Sequence, residues 1–172
     1  MDPGRFDALV AAHHGEIHRY LLRATSRASE ADDLAQETFL RAYRAHRTLT
    51  PDANARAWLF AIATNVAKNH FRAESRRRRA HTAMRATLSP TDGAEPESET
   101  LFNEARARLD AVVAALPLKQ RLAFTMRKVH DLEYDAIARS LGCSAESARA
   151  HVFQALKKIR LSLNGHELPP GE

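Results

Sequence analysis

Arg149, His151, Gln154, Lys157, Lys158 and Arg160 stand close together within the stretch Tyr134–Arg160. Arginine and glutamine can read base edges, and lysine can hold phosphates, so the first chemistry these residues suggest is recognition of duplex DNA. Among them Ala148, Val152, Ala155, Leu156 and Ile159 recur by threes and fours, the mark of a helix with one buried stripe. Upstream, Ile137, Ala138 and Leu141 mark a shorter helix, Gly142 a bend, and Ser144 a cap for the restart. The stretch predicts a helix-turn-helix whose second helix can enter a major groove. An ordinary amphipathic helix pair with a solvated basic face would show the same spacing.

A second constellation lies further upstream. Trp58, Asn65, Asn69 and Arg72 fall within about 60° of one another on a helix. An aromatic ring, two amides and a guanidinium on one face suit unstacked bases, with Lys68 and Arg72 placed to neutralise phosphates. Arg76–Arg79 extend that positive path, while Leu59, Ile62, Ala63, Val66 and His70 form the core-facing stripe. The competing reading buries Trp58 and leaves the amides merely solvated.

A third patch has the opposite sign. Asp32, Asp33, Gln36 and Glu37, followed by Arg41 and Arg44, would repel nucleic acid but could dock a basic protein surface. No pattern for catalysis accompanies these patches. His13 and His14 are adjacent and so point to different faces, and neither an HExxH helix nor a phosphate-cradling glycine loop occurs. Cys143 is the sole cysteine, which excludes an intrachain disulfide and disfavours a thiolate zinc site. Its place in the turn fits a small, half-buried residue. No enzyme activity, metal or cofactor is expected.

The elements that must carry these patches are all helical. Phe6, Leu9, Val10, His13, Ile17, Tyr20 and Leu21 share one face of a long first helix. After a break around Ser26–Ala31 a second helix is predicted over Asp32–His46, opened by its two aspartates. A loop with Pro51 precedes a third helix from about Ala55 through Arg72, ending in the arginine run. Phe102, Ala105, Leu109, Val112, Val113 and Leu116 mark a fourth, stopped at Pro117, and Leu118, Leu122, Met126 and Val129 the next. Strand-like alternation is absent.

Charge divides the chain of 172 residues in the same places. Residues 1–79 carry 14 Lys/Arg against 9 Asp/Glu, a net +5; residues 80–103 carry 1 against 4; residues 104–172 carry 11 against 8. The segment 81–101, with two prolines, a glycine and acids, reads as a flexible linker. The fold expected is therefore all-α, with small helical domains at 1–80 and 102–165 and a tail at 166–172. No signal peptide or apolar run of membrane-spanning length occurs, so a soluble cytoplasmic protein is expected.

Taken together, DDLAQETFLRAYRA, WLFAIATNVAKNHFR with its arginine run, and LPLKQR with YDAIARSLGCSAESARAHVFQALKKIR resemble the extracytoplasmic-function (group IV) sigma factors of bacterial RNA polymerase. The three blocks stand in that family's order, and the likeness covers nearly all of residues 5–163. The resemblance implies two helical domains, sigma-2 and sigma-4, and a non-catalytic protein that brings core polymerase to promoters and helps melt them.

It further implies that Asp33, Gln36, Glu37 and Arg41 dock on the β′ coiled coil of core RNA polymerase, with the β flap as a further contact. The loop Leu49–Asn54 and the helix face with Asn65, Lys68 and Asn69 correspond to the part that captures a flipped base of the −10 element. Trp58 and Arg72 flank that face. Arg149, Ala150, His151, Phe153 and Gln154 correspond to the recognition-helix positions that meet the −35 element, with Lys157 a turn beyond. An anti-sigma factor is an expected partner, besides promoter DNA. Ser147 and Ala148 depart from the Thr-Val often found before the basic reading position, so the smaller side chain should loosen packing beneath the recognition helix. The alternative from the residues alone is a stand-alone helix-turn-helix regulator, which leaves the acidic patch and linker without a role.

Overall fold

A computed structural model describes residues 3–50, 52–84 and 101–165. Its helices are α1 (Pro3–Thr25), α2 (Ala28–Ala45), α3 (Ala55–Met84), α4 (Leu101–Ala114), α5 (Leu118–Phe124), α6 (Tyr134–Leu141) and α7 (Ala145–Leu163), with no strand among the described residues. Most of the proposed linker, residues 85–100, and the proposed tail, 166–172, lie outside the described residues. Residues 81–84 continue α3.

The stripes expected on α1 and α3 pack together, and α2 and Phe60 complete their core. Ile17, Tyr20 and Leu21 of α1 meet Leu34 and Ala35 of α2 and Leu59, Phe60 and Ala63 of α3, all buried. Tyr20 Oη lies 2.8 Å from Thr64 Oγ1, giving each buried hydroxyl a partner, and burial pushes the phenol pKa well up. The break between α1 and α2 is shorter than expected. Ser26 takes a left-handed conformation (φ 61°) and α2 begins at Ala28, so Asp32 and Asp33 sit in its second turn rather than at its start.

The α5 segment departs from simple helical spacing. Residues Thr125–Val129 form a π-helical turn in which the His130 amide donates to the Thr125 carbonyl, five residues back. The extra residue rotates the side chains at the end of the segment. Val129, expected on the buried stripe, is 44% exposed, whereas Met126 and His130 face inward. Gly142 then closes α6 in the left-handed region (φ 68°), where a side chain would be strained. Ser144 caps α7, its Oγ accepting from the Ser147 amide at 3.1 Å. Ala148, Val152, Ala155 and Ile159 are buried on the predicted stripe, and Cys143 is half-buried as expected.

One core joins the two halves. Leu122, Met126, Leu132 and Ile137 belong to the same cluster as Ile17, Tyr20, Leu59 and Phe60. A smaller cluster of Val113, Leu116, Ala155 and Ile159 fixes α4 to α7.

Candidate polymerase and nucleic-acid interfaces

On α2, every fourth residue from Asp33 comes to the same side, which brings Asp33, Glu37 and Arg41 onto one ridge with Gln36 beside them. Asp33, Gln36 and Arg41 are exposed, and Glu37 accepts from Arg41 Nε at 2.6 Å. Asp32, from the same acidic patch, lies 2.7 Å from His18 Nε2 of α1.

Sequence spacing missed the apolar part of this surface. Leu40 and Tyr43 are 45% and 56% exposed, and with Phe6, Val10 and Phe39 they line an open groove of about 460 Å³ that Gln36 borders. The available signal was that Leu40 and Tyr43 follow Gln36 by four and seven residues, off the buried stripe of Ala31, Leu34, Ala35, Thr38 and Ala42.

On α3, Asn65, Asn69 and Arg72 are exposed and contiguous, with Arg72 Nη1 3.5 Å from Asn69 Oδ1. Trp58 departs from the exposed face drawn for it. It is half-buried, because its ring packs against the core cluster at the start of α3 rather than standing in solvent. Lys68 is half-buried too, and its ammonium donates to the Leu141 carbonyl at 3.1 Å. Asn54, in the preceding loop, accepts from the Ala57 amide at 2.9 Å and so caps α3.

On α7, Arg149, Phe153, Gln154 and Lys157 are exposed on one side, opposite the buried stripe. Phe153 is 65% exposed, an apolar side chain in the middle of a polar face. Such a ring can meet a thymine methyl, as arginine and glutamine meet purine edges. The Arg149 guanidinium lies 5.0 Å from the centre of the Tyr134 ring, and Arg127 lies at the same distance from it.

His151 does not join that side. It is half-buried and lines a cleft of about 480 Å³ with Lys119, Lys68 and Arg72. Burial, and then the nearby Lys119 charge, hold its pKa below the ordinary imidazole value.

A third cluster joins the halves. Arg56, at the start of α3, donates through Nε to both carboxylate oxygens of Glu16 at 3.0 Å, and through Nη2 to the His130 carbonyl. His130 Nδ1 lies 3.3 Å from Glu16 Oε1. Burial works to raise the Glu16 pKa, but the Arg56 hydrogen bonds and charge, with His130 and His13, outweigh it and hold it below the ordinary value. No sequence pattern could show this cluster, whose members are 40 and 114 residues apart.

These features define an all-helical protein with a helix-turn-helix in its C-terminal half and a separate amide-and-cation ridge on α3. Sigma-70 region 2 matches residues 9–77, and Sigma-70, region 4 matches residues 106–159. The RNA polymerase sigma-H factor of Pseudomonas aeruginosa is 34% identical over 169 residues, spanning 94% of this chain and 88% of that protein. The ECF RNA polymerase sigma-E factor of Escherichia coli is 30% identical over 165 residues, covering 92% and 86%.

The same fold occurs in the sigma factor RpoE in complex with the anti-sigma factor NepR from Bartonella quintana (TM-score 0.72, 18% identity, 95% of this chain and 99% of that one). It occurs again in CnrH in complex with the cytosolic domain of CnrY (TM-score 0.70, 20% identity, 96% and 92%). The chain belongs to the sigma-70 family, in its extracytoplasmic-function class. It is an alternative sigma factor that directs transcription initiation.

Proposed function

We propose that the three exposed surfaces divide the work of initiation. The α2 ridge of Asp33, Gln36, Glu37 and Arg41 docks on the β′ coiled coil of core polymerase. The α3 face of Asn65, Asn69 and Arg72, joined by Lys68, holds a melted −10 strand. The α7 side with Arg149, Phe153, Gln154 and Lys157 reads −35 duplex, and His151 contributes from its edge. The boundaries expected at 80 and 102 fall inside α3 and α4, so the modules are taken to end at Met84 and to resume at Leu101, with the intervening chain setting the reach between them. The β flap would hold the C-terminal module.

The observation that carries the reading is the separation of charge on one chain. Two faces suit nucleic acid, while the acid-bearing ridge on α2 would repel it. A regulator acting alone has no use for that ridge. Each DNA module can bind weakly, because polymerase holds both at a high effective concentration. Capturing an extruded base shifts duplex toward the melted form, offsetting an unstacking cost of a few kcal/mol without a chemical step. No catalytic residue enters this account.

The protein works in the cytoplasm, where polymerase and promoter DNA are. Among the described residues no helix is long and apolar enough to cross a membrane. An anti-sigma factor would act by covering the α2 ridge and its groove.

The test is transcription by core polymerase on a promoter library, with start sites mapped, using wild type and the double variant Asp33→Arg/Glu37→Arg. Wild type should select a promoter set and co-purify with core enzyme. The double variant should lose both while keeping its helical content. Co-purification of the folded double variant at wild-type yield would place the docking surface elsewhere.

A further inference from the structure

We propose that Glu16, Arg56 and His130 form an acid-sensitive latch that holds the α1–α3 half shut against the α4–α7 half, keeping Lys68 off DNA until it opens. The autoinhibitory part rests on the reading of Lys68 as a −10 contact; the latch itself rests only on geometry.

The geometry is that of a clamp. Arg56 binds Glu16 within its own half and reaches across to the His130 carbonyl, while the His130 ring reaches back to Glu16. The ring is only 6% exposed, with the Tyr20 ring edge-on at 5.9 Å and the Phe60 ring at 5.0 Å. His130 Nε2 is buried and has no hydrogen-bond partner among the described residues. A neutral imidazole fits this pocket, donating from Nδ1 to the Glu16 carboxylate. A second proton would bury an N–H with no acceptor, which is unfavourable. The shut state also ties the Lys68 ammonium to the Leu141 carbonyl, and stacks Arg121 of α5 on the Phe71 ring of α3 at 5.2 Å.

The charged groups facing His130 decide the sign. From α1 come Glu16, which favours protonation, and Arg19, which opposes it; from α3 comes Arg56, which also opposes it. His13 lies 3.5 Å from Glu16 and shares its carboxylate. Within its own segment Asp131 is drawn to Arg127 at 3.4 Å.

Burial, the largest cause, together with the arginines, outweighs Glu16 and lowers the His130 pKa in the shut state. Opening relieves the burial and returns it toward the ordinary imidazole value. The shut state therefore binds fewer protons than the open one. Its stabilisation from His130 is complete above about pH 6.5 and is lost as pH falls through the lowered value. Glu16 keeps its Arg56 partner within its own half when the latch opens, so its lowered pKa does not drive the opening.

Small-angle scattering of the full chain between pH 7.5 and 5.5 tests the latch, with circular dichroism to confirm folding at each point. The radius of gyration of wild type should rise as pH falls. His130→Phe keeps the ring packing and His130→Gln keeps a donor for Glu16, and neither titrates. Both should remain shut across the range. Arg56→Met should have a larger radius than wild type at pH 7.5, although the shared core still resists full opening.

A wild-type radius that does not change with pH, or a folded His130 variant that expands along the wild-type profile, overturns the proposal. So does a folded Arg56→Met with the wild-type radius at pH 7.5. If one His130 variant does not fold, the other decides. Scattering reads the latch without DNA. A parallel measurement of single-stranded −10 oligonucleotide binding reads Lys68, so failure of either assignment is seen separately.

Discussion

The Lys68 ammonium lies 3.1 Å from the Leu141 carbonyl, so a cation of the proposed strand-capturing face is bonded to the last turn of α6, beside the helix-turn-helix bend. One side chain thus belongs to two surfaces. A hydrogen bond from a charged donor is worth about 1.5–3 kcal/mol net. Lys68→Met should weaken the contact between the halves by that amount, read as faster hydrogen exchange at Ala136–Gly142. It should also lower affinity for a single-stranded −10 oligonucleotide. Unchanged exchange would mean that the bond contributes nothing to holding the halves together.

Asn65 is exposed on α3, so its truncation should disturb little packing. Asn65→Ala should leave association with core polymerase intact and reduce open-complex formation. Permanganate footprinting of the bubble is the measurement, and wild-type reactivity at the −10 thymines would remove Asn65 from the proposed strand-capturing face.

Arg149 and Phe153 make different predictions on the same side of α7. Arg149→Ala should cost about 1–3 kcal/mol of −35 affinity in holoenzyme if the guanidinium is bidentate to guanine. Phe153→Ala should leave the melting temperature nearly unchanged, because 65% of the residue is already in water. Its effect should appear only on promoters with thymine at the matching position. Equal effects on every sequence would make Phe153 a general packing residue.

Ser144 closes the first turn of α7 with its side chain. Ser144→Ala should lower stability by about 1 kcal/mol, equivalent to a fall of roughly 2–4 °C in melting temperature for a chain of this size. Differential scanning calorimetry measures it. A wild-type melting temperature would show that the cap is replaced by water at no loss.

The helix-turn-helix was legible in the sequence because its signals are local. Gly142, Ser144 and the spacing of Ala148, Val152, Ala155 and Ile159 act within a few turns of chain, and the structure places each as its chemistry requires. The acidic ridge of α2 and the amides of α3 were legible for the same reason, since helical periodicity alone puts them on a face. Trp58 was not, because whether a face is exposed depends on which helix lies over it. Nor was the turn at Thr125–Val129, where one inserted residue turns Val129 outward and His130 inward against the spacing. Only tertiary packing could bring Glu16, Arg56 and His130 together. Electrostatic and hydrogen-bonding contacts between residues so far apart in sequence leave no periodic trace, and their strength comes from burial that the folded halves create together.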